Sequence, residues 1–507
     1  MKKKKLKISK KTVKKILLAL VCIVLVAAVA VSSTLYFGGK LDESKGFDMK
    51  NNGYELNSDE VNRLIAVTPN ANQLAFSDME YYNFIHYGMN TFTGDQWGDG
   101  TADPSEFNPE VVDTDQWARV LKESGSKGII FTAKHHDGFC LWPTEYTEYS
   151  IKNSPYMDGK GDIVKQVADS CKKYGLKFGI YLSPWDRNNK DYGTDAYNEF
   201  FINQLTELCT NYGDIFCFWF DGAKGEDVED FSYNFARYFE TIRKLQPNAV
   251  IASCGDDVRW IGNEDGKTRT SEWSVIARGS ESVDGTQIAE VNNMDEDLGS
   301  REFVKNYKNL AWYPAEADVS ILGKSWFYNE NVKPKSADEL AEIYFNTVGG
   351  NASFLLNIPP SKNGVIEDDE VKILQEFKQK IDEPFKNEVD YKVYNRQNQE
   401  LLDNIRNADE GVQLTQFDST LTFKFDSKQK IKTVVLQEDI SHSQRVEAFE
   451  IYAKVKGGYK KIYSGTTIGS KKIVRLSGID VRNTDEIKII FTQSRSYPFI
   501  KNIQFYA

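Results

Sequence analysis

The chain is poor in the residues that build metal centres and disulfide frameworks. Its 507 residues include only six cysteines and four histidines. Cys22 lies in an apolar run near the N-terminus, and the other five cysteines have apolar neighbours and no metal-ligand spacing: Cys140, Cys171, Cys209, Cys217 and Cys254. We therefore expect buried free thiols, no disulfide framework, no metal site and no cofactor.

Two further absences narrow the classes of function. No glycine-rich phosphate loop follows any predicted strand, which disfavours nucleotide chemistry. The chain also lacks an excess of basic residues, because its net charge is −11 although residues 1–15 contribute nine lysines and no acid. An acidic body disfavours nucleic-acid and anionic-membrane partners. We expect no nucleic-acid partner, and membrane contact only through the N-terminal segment.

The N-terminus has the pattern of an export signal. A lysine-rich start precedes an uninterrupted apolar run over residues 16–31, and Ala28-Val29-Ala30 resembles a cleavage site. The run is short for a membrane span, but extension to Phe37 makes it long enough. We predict a signal peptide or membrane anchor over residues 1–37 and a linker over residues 38–58. The body is expected to be exported, and to be extracellular or anchored at the cell surface.

Apolar strands alternate with amphipathic helices over some three hundred residues. The predicted strands are 81–87, 128–135, 177–183, 214–220, 249–254, 270–275, 310–318 and 351–358. Eight such alternations predict an α/β fold, a (β/α)8 TIM-like barrel over residues 59–385. From there short alternating strands with polar turns predict a C-terminal β-sandwich domain over residues 389–507, of the kind found in carbohydrate-binding modules. All nine tryptophans precede this module, so we expect it to be structural or at most a weak sugar binder.

Three of the four histidines directly follow predicted strands. His86 lies in FIHYG, and His135 and His136 lie in FTAKHHDGF. In a (β/α)8 barrel the C-terminal ends of the strands share the face that carries the active site. A neutral imidazole offers one donor and one acceptor, which suits a ligand made of hydroxyl groups. One histidine in such a place is usually structural, but three of four indicate a binding site.

Asp221 directly follows the apolar strand that ends in CFWF. A charge buried there without a partner is costly, whereas at the top of a barrel strand it is a natural nucleophile. Asp227 and Asp230 suit a helix cap better. Trp219 points the same way along the pleat and would form a wall of the pocket. A second carboxylate must protonate a leaving group, and spacing alone does not choose among Asp256, Asp257, Glu264, Asp265, Glu272 and Asp186.

An ordered series of motifs resembles glycoside hydrolase family 29, the α-L-fucosidases. The motifs are FIHYGMNTFTGDQWGDG, AKHHDGFCLWPT, GLKFGIYLSPWDRN, WFDGA, RWIGNE, WYPAEADVS and SFLLNIPP, and they run in family order over residues 81–360. The forms RWIGNE and LSPWDRN resemble the subgroup that prefers branched α-1,3/1,4-linked fucose.

The resemblance implies a retaining, exo-acting hydrolase that releases terminal α-1,3/1,4-linked L-fucose from fucosylated oligosaccharides or glycoconjugates. It implies Asp221 as the nucleophile and Glu264 as the general acid/base. The residues that it implies around the sugar are His86, His135 and His136 for the hydroxyl groups, Trp97, Tyr181 and Trp219 for the walls, and Trp326 near the mouth.

Two positions depart from the family pattern. Gln96 stands where an acid commonly precedes the tryptophan, and Ser325 follows Lys324 where a Pro-Gly pair is frequent. The alternatives to a fucosidase are a non-catalytic carbohydrate-binding surface protein on the same barrel and a barrel glycosidase specific for another sugar.

Overall fold

The structure is a computed structural model that describes residues 58–225, 228, 231–401, 405, 411–415, 419–476 and 483–507. The predicted signal or anchor, all but the last residue of the predicted linker, and Asp227 and Asp230 lie outside these residues. Within the described part, no helix is long and apolar enough to cross a membrane.

The first unit contains ten strands among its described residues. They are β1 (Tyr81–Ile85), β2 (Gly128–Lys134), β3 (Lys177–Leu182), β4 (Cys217–Phe220), β5 (Val250–Ser253), β6 (Arg259–Trp260), β7 (Val275–Ser282), β8 (Tyr307–Trp312), β9 (Ala315–Ser320) and β10 (Ala352–Asn357). Strands β1–β6, β9 and β10 form a parallel barrel in chain order, and β10 pairs with β1. The ring closes between β5 and β6 through a single parallel bridge from Ala252 to Val258. The predicted barrel is confirmed.

A helix follows six of the eight barrel strands along the chain. In the described residues they are α1 (Asp59–Ile65), α2 (Ala71–Ser77), α3 (Met89–Thr93), α4 (Thr114–Glu123), α5 (Ile163–Tyr174), α6 (Asp195–Asn211), α7 (Phe235–Leu245), α8 (Arg301–Val304), α9 (Ala337–Thr347) and α10 (Asp368–Asp382). Helices α4–α7 follow β1–β4, and α9 and α10 follow β9 and β10. No helix separates β5 from β6, and the β7–β8 hairpin with the short α8 takes the place of a helix after β6.

Two strand predictions are wrong. Residues 270–275 do not form the sixth barrel strand, because the two residues of β6 take that place and carry the charged Arg259 instead of an apolar run. Residues 310–318 form two strands, β8 in the antiparallel hairpin and β9 in the barrel, because the chain turns at Tyr313-Pro314.

The second unit is an antiparallel sandwich with its own apolar core. Its strands are β11 (Lys392–Tyr394), β12 (Glu400–Leu401), β13 (Val412–Gln413), β14 (Thr420–Gln429), β15 (Thr433–Glu438), β16 (Val446–Val455), β17 (Gly458–Gly465), β18 (Lys472–Arg475), β19 (Thr484–Ser494) and β20 (Phe499–Tyr506). They form a sheet in the order β12-β11-β14-β19-β16-β17 and another in the order β13-β20-β15-β18.

The sandwich packs against the N-terminal ends of the barrel strands. Val435, Ile473 and Tyr506 belong to the main apolar core of the barrel. The backbone N–H of Ile473 donates to Gly349 O at 3.2 Å, just before β10. The opposite face of the barrel, where the strands end, is therefore left open for the site.

Candidate active site

The predicted site residues converge at the C-terminal ends of the barrel strands. His86 follows β1, His135 and His136 follow β2, Tyr181 lies in β3, and Trp219 lies in β4, two residues before Asp221. The ring centroids of His135 and His136 are 4.2 Å apart, and that of His86 is 5.6 Å from His135. Tyr181 stacks on Trp219 at 5.4 Å. The three histidines and two aromatic walls thus form one pocket.

Asp221 is held by two donors. The Tyr181 hydroxyl donates to Oδ2 at 3.1 Å, and the Ala223 N–H donates to Oδ1 at 2.8 Å. Burial raises the pKa of Tyr181 well above its ordinary value, and the charge of Asp221 raises it further, so the phenol remains a donor. The Asp221 side chain is 27% exposed, which leaves the carboxylate oriented and open to a ligand.

His86 has a defined tautomer, because Asn357 uses both amide hydrogens elsewhere. Asn357 Nδ2 donates to Ser320 Oγ at 3.0 Å and to the Trp326 carbonyl at 2.8 Å. Its Oδ1 therefore accepts from His86 Nδ1 at 2.8 Å. The Nε2 atom of His86 is left as an acceptor for a hydroxyl hydrogen.

The same argument applies to His136. The Ser183 hydroxyl donates to the Trp185 carbonyl at 2.7 Å, so its oxygen accepts from His136 Nδ1, also at 2.7 Å. His136 Nε2 then presents a lone pair 3.8 Å from Asp221 Oδ2. A ligand hydroxyl has an acceptor beside the carboxylate.

The three imidazoles are neutral. Burial lowers the pKa of His86 to about 3, although its hydrogen bond to Asn357 opposes the shift. Burial also lowers the pKa of His135 and His136, and neighbouring histidines add to the effect at His135. His135 Nδ1 is buried without a hydrogen-bond partner among the described residues. A pocket of neutral imidazoles suits an uncharged polyhydroxyl ligand.

The candidate acids differ in whether a basic side chain pairs with them. Five of the six carboxylates that spacing left open are paired with a basic side chain: Asp186 with Lys134, Asp256 with Arg278, Asp257 with Arg243, Asp265 with Lys324, and Glu272 with Arg259. Glu264 is half-buried and has no basic partner within the described residues. Its availability supports the predicted acid/base role.

Trp97 and Trp326 contact different histidines of the cluster. Trp97 is 52% exposed and meets His136 and Trp185 edge-on at 5.7 and 5.6 Å. Trp326 is half-buried, with its ring 5.2 Å from His86. The described residues contain no group of three or more metal-ligating side chains that could hold an ion.

Sequence reasoning missed two buried carboxyl groups on β9. Glu316 accepts hydrogen bonds from the Tyr82 hydroxyl and from Trp219 Nε1, and burial raises its pKa to about 7. Asp318 accepts from Trp260 Nε1 at 2.8 Å. Burial raises the pKa of Asp318, and the charges of Glu316 and Glu264 raise it further. Two acids at alternate positions of the motif WYPAEADVS were the available signal, since alternate residues share a face.

A family model, a sequence relative and solved structures all match most of this chain. Residues 54–381 match the family model described as Alpha-L-fucosidase. The chain is 37% identical over 454 residues to Alpha-L-fucosidase 1 of Arabidopsis thaliana, covering 86% of this chain and 87% of that protein. A solved glycoside hydrolase 29 family member from an unknown rumen bacterium aligns with a TM-score of 0.72 and 36% identity, covering 87% of this chain and 77% of that one. The Ruminococcus gnavus GH29 fucosidase in complex with fucose aligns with a TM-score of 0.73 and 28% identity, covering 91% and 98%.

Proposed function

The chain belongs to the α-L-fucosidase family, glycoside hydrolase family 29, and we propose that it is a retaining, exo-acting enzyme for terminal α-1,3/1,4-linked L-fucose. Its α-L-fucosidase activity follows from the family. The observation that best supports the mechanism is the placement of Asp221 between two donors and beside neutral His136.

In the first step Asp221 attacks C1 of the fucosyl group. The bond from C1 to the aglycone oxygen breaks as Glu264 transfers its proton to that oxygen, which leaves a covalent fucosyl-enzyme. In the second step Glu264 takes a proton from water, the water oxygen bonds to C1, and Asp221 departs as a carboxylate. Two inversions give net retention, and retaining enzymes require carboxylates about 5–5.5 Å apart.

The pocket chemistry suits a 6-deoxy sugar. Lone pairs at His86 Nε2 and His136 Nε2 are acceptors for hydroxyl hydrogens. The aromatic rings of Tyr181, Trp219 and Phe327 offer an apolar surface for the C6 methyl group. A site built around hydroxyl partners discriminates strongly against sugars that lack the hydroxyl.

The stereochemical proposal is tested by NMR of the first sugar product. We expect α-L-fucose before mutarotation, and β-L-fucose would overturn the retaining mechanism. Asp221→Ala should abolish turnover because no other group forms the covalent bond.

The acid/base proposal is tested by comparing leaving groups. Glu264→Ala should impair hydrolysis of natural glycans more than that of aryl fucosides, whose leaving groups need little protonation. Asp265→Asn is the matched control in the same loop and should keep the wild-type ratio between the two substrates. If Glu264→Ala stays active and a Glu272 variant shows the selective loss, the acid/base role belongs to Glu272.

The linkage preference rests on the motif forms and on aromatic groups near the mouth. The candidates are Trp185, Trp260 and Trp326. All three are half-buried, and Trp260 leads into the loop that carries Glu264. If these faces bind a branched aglycone, remote binding energy should raise turnover as well as affinity. We expect a higher kcat/KM on a Lewis trisaccharide, with galactose beside the fucose, than on 2′-fucosyllactose. Equal or reversed values would overturn the preference and leave the fucosidase activity intact.

The location is proposed from the N-terminal pattern alone. We expect the body to be exported, and either released or kept at the cell surface by residues 1–37. Cell fractionation that finds the full-length chain in the cytoplasm would overturn this proposal.

A further inference from the structure

Gln96 joins two loops of the barrel mouth. It lies in the loop after β1, and its Oε1 accepts from the backbone N–H of Trp326 at 2.6 Å and of Phe327 at 3.1 Å, both in the loop after β9. An amide oxygen has two lone pairs, so both are used by these donors. The side chain that departs from the family acid is therefore turned with its oxygen towards the protein.

The peptide of Trp326 is also held from the other side. Its carbonyl accepts from Asn357 Nδ2, and the same Asn357 holds His86 through Oδ1. A hydrogen-bonded chain thus runs from His86 through Asn357 and Trp326 to Gln96. The indole of Trp326 lies against His86 at 5.2 Å and Phe84 at 6.2 Å. Loops are the mobile parts of a barrel, so this aromatic wall depends on such bonds for its position.

We propose that Gln96 is a positioning residue that acts through Trp326, fixing the loop after β9 so that the indole forms a wall of the fucose pocket. The proposal deepens the proposed function and rests on it. Gln96 supplies the acceptor for the backbone that follows Lys324-Ser325, the second departure from the family pattern.

A double-mutant cycle tests the proposal in the full chain. The measured quantities are the inhibition constant Ki of L-fucose, kcat and KM for an aryl fucoside, and Tm as a check on folding. Gln96→Met removes the acceptor at similar side-chain length, and we expect it to raise the Ki of L-fucose about tenfold. Trp326→Ala should raise Ki at least as much, and the double variant should match Trp326→Ala within about twofold.

Two further variants separate positioning from a general loss of structure. Gln96→Glu keeps an oxygen that accepts from both N–H groups and loses the amide donor, so we expect it to recover most of the affinity lost in Gln96→Met. Gln116→Met is the matched control, because Gln116 Oε1 also accepts a backbone N–H, from Ile366 at 3.0 Å, outside the pocket. It should change Tm without changing Ki.

The outcomes are distinguishable. Additive losses in the double variant would mean that Gln96 contacts the sugar directly and would overturn the proposal, as would a Gln96→Glu variant no better than Gln96→Met. An unchanged Ki in folded Gln96→Met would overturn the positioning role alone. Failure of the unaltered protein to hydrolyse any fucoside would overturn the proposed function and this role together.

Discussion

Individual histidines show how burial sets the chemistry of the pocket. His86 and His136 each donate through Nδ1 to an oxygen that must accept, because its residue donates its own hydrogens elsewhere. Both histidines therefore present Nε2 to the ligand. Because burial lowers their pKa, they keep this acceptor at pH values where an exposed histidine, with a pKa near 6.5, becomes a cation. Protonation of these two histidines should then affect sugar binding only at a lower pH than the pKa of an exposed histidine.

The neutral state of these residues is directly measurable. With a folded-state pKa of about 3 for His86 and a pKa well below the ordinary value for His135, lowering the pH from 7.5 to 5 should leave both uncharged. We expect the ring signals of these two histidines in NMR of a ring-labelled protein to show no titration over this range. Single His→Asn variants assign the signals. Movement of either signal with a midpoint near pH 6.5 would contradict the prediction.

At the scale of secondary-structure elements, the sequence was informative where apolar runs are long. The strands before His86, His135 and Asp221 are buried on both faces, and a run of apolar residues marks them plainly. Strand β6 has only two residues, too few to show a periodic pattern. Its charged Arg259 is buried because it pairs with Glu272, which is not its neighbour in the sequence. Long-range pairing of this kind leaves no periodic signal in a sequence.

The site residues also differ in whether a local pattern in the sequence could identify them. Residues at the ends of apolar strands were predicted from position, whereas the choice of Glu264 needed the family resemblance. Its competitors are distinguished by basic partners that come from other elements. Glu316, Asp318 and Asn357 were missed because their roles consist of contacts with side chains far along the chain.

The ion pair that anchors β6 gives a prediction for the loop after it. Arg259 is fully buried, and its removal leaves the buried carboxylate of Glu272 with Arg269 alone, at 3.3 Å. Arg259→Met should destabilise the protein by roughly 3–5 kcal/mol and lower kcat, because the loop that carries Glu264 begins and ends at this pair.

Calorimetry and aryl-fucoside kinetics measure both effects. Lys267→Met, in the same loop and exposed, is the control and should change stability by no more than about 1 kcal/mol. Replacing both partners, Arg259→Met with Glu272→Leu, should recover much of the lost stability. An Arg259→Met protein as stable as the Lys267→Met control would show that the pair does not anchor the loop.

At the scale of the whole molecule, barrel and sandwich share a core. The site residues all lie in the barrel, so a chain truncated near residue 385 that still folds should keep aryl-fucoside turnover within an order of magnitude. The apolar contacts of Val435, Ile473 and Tyr506 with the barrel core make such independent folding unfavourable. The sandwich is thus expected to support the site through stability and not through chemistry.

A single substitution tests this coupling. Ile473→Ala removes a side chain buried between the units and should cost about 2–5 kcal/mol, with barrel and sandwich unfolding in one calorimetric transition. Val455→Ala, on an exposed side chain of the same sandwich, should stay within about 0.5 kcal/mol. Two separate transitions, with only one shifted by Ile473→Ala, would contradict the shared core.

The chain between β6 and β9 leaves and re-enters the barrel at neighbouring points. Arg259 pairs with Ala315, and the Arg259 N–H donates to Pro314 O at 3.0 Å. A segment whose ends are already adjacent tolerates changes in length at small entropic cost. Insertions or deletions in the exposed loops of residues 261–313 should therefore leave the barrel ring closed. Since this segment carries Glu264 while Asp221 and the histidines lie outside it, such changes should alter the surroundings of Glu264 and leave the histidine cluster in place.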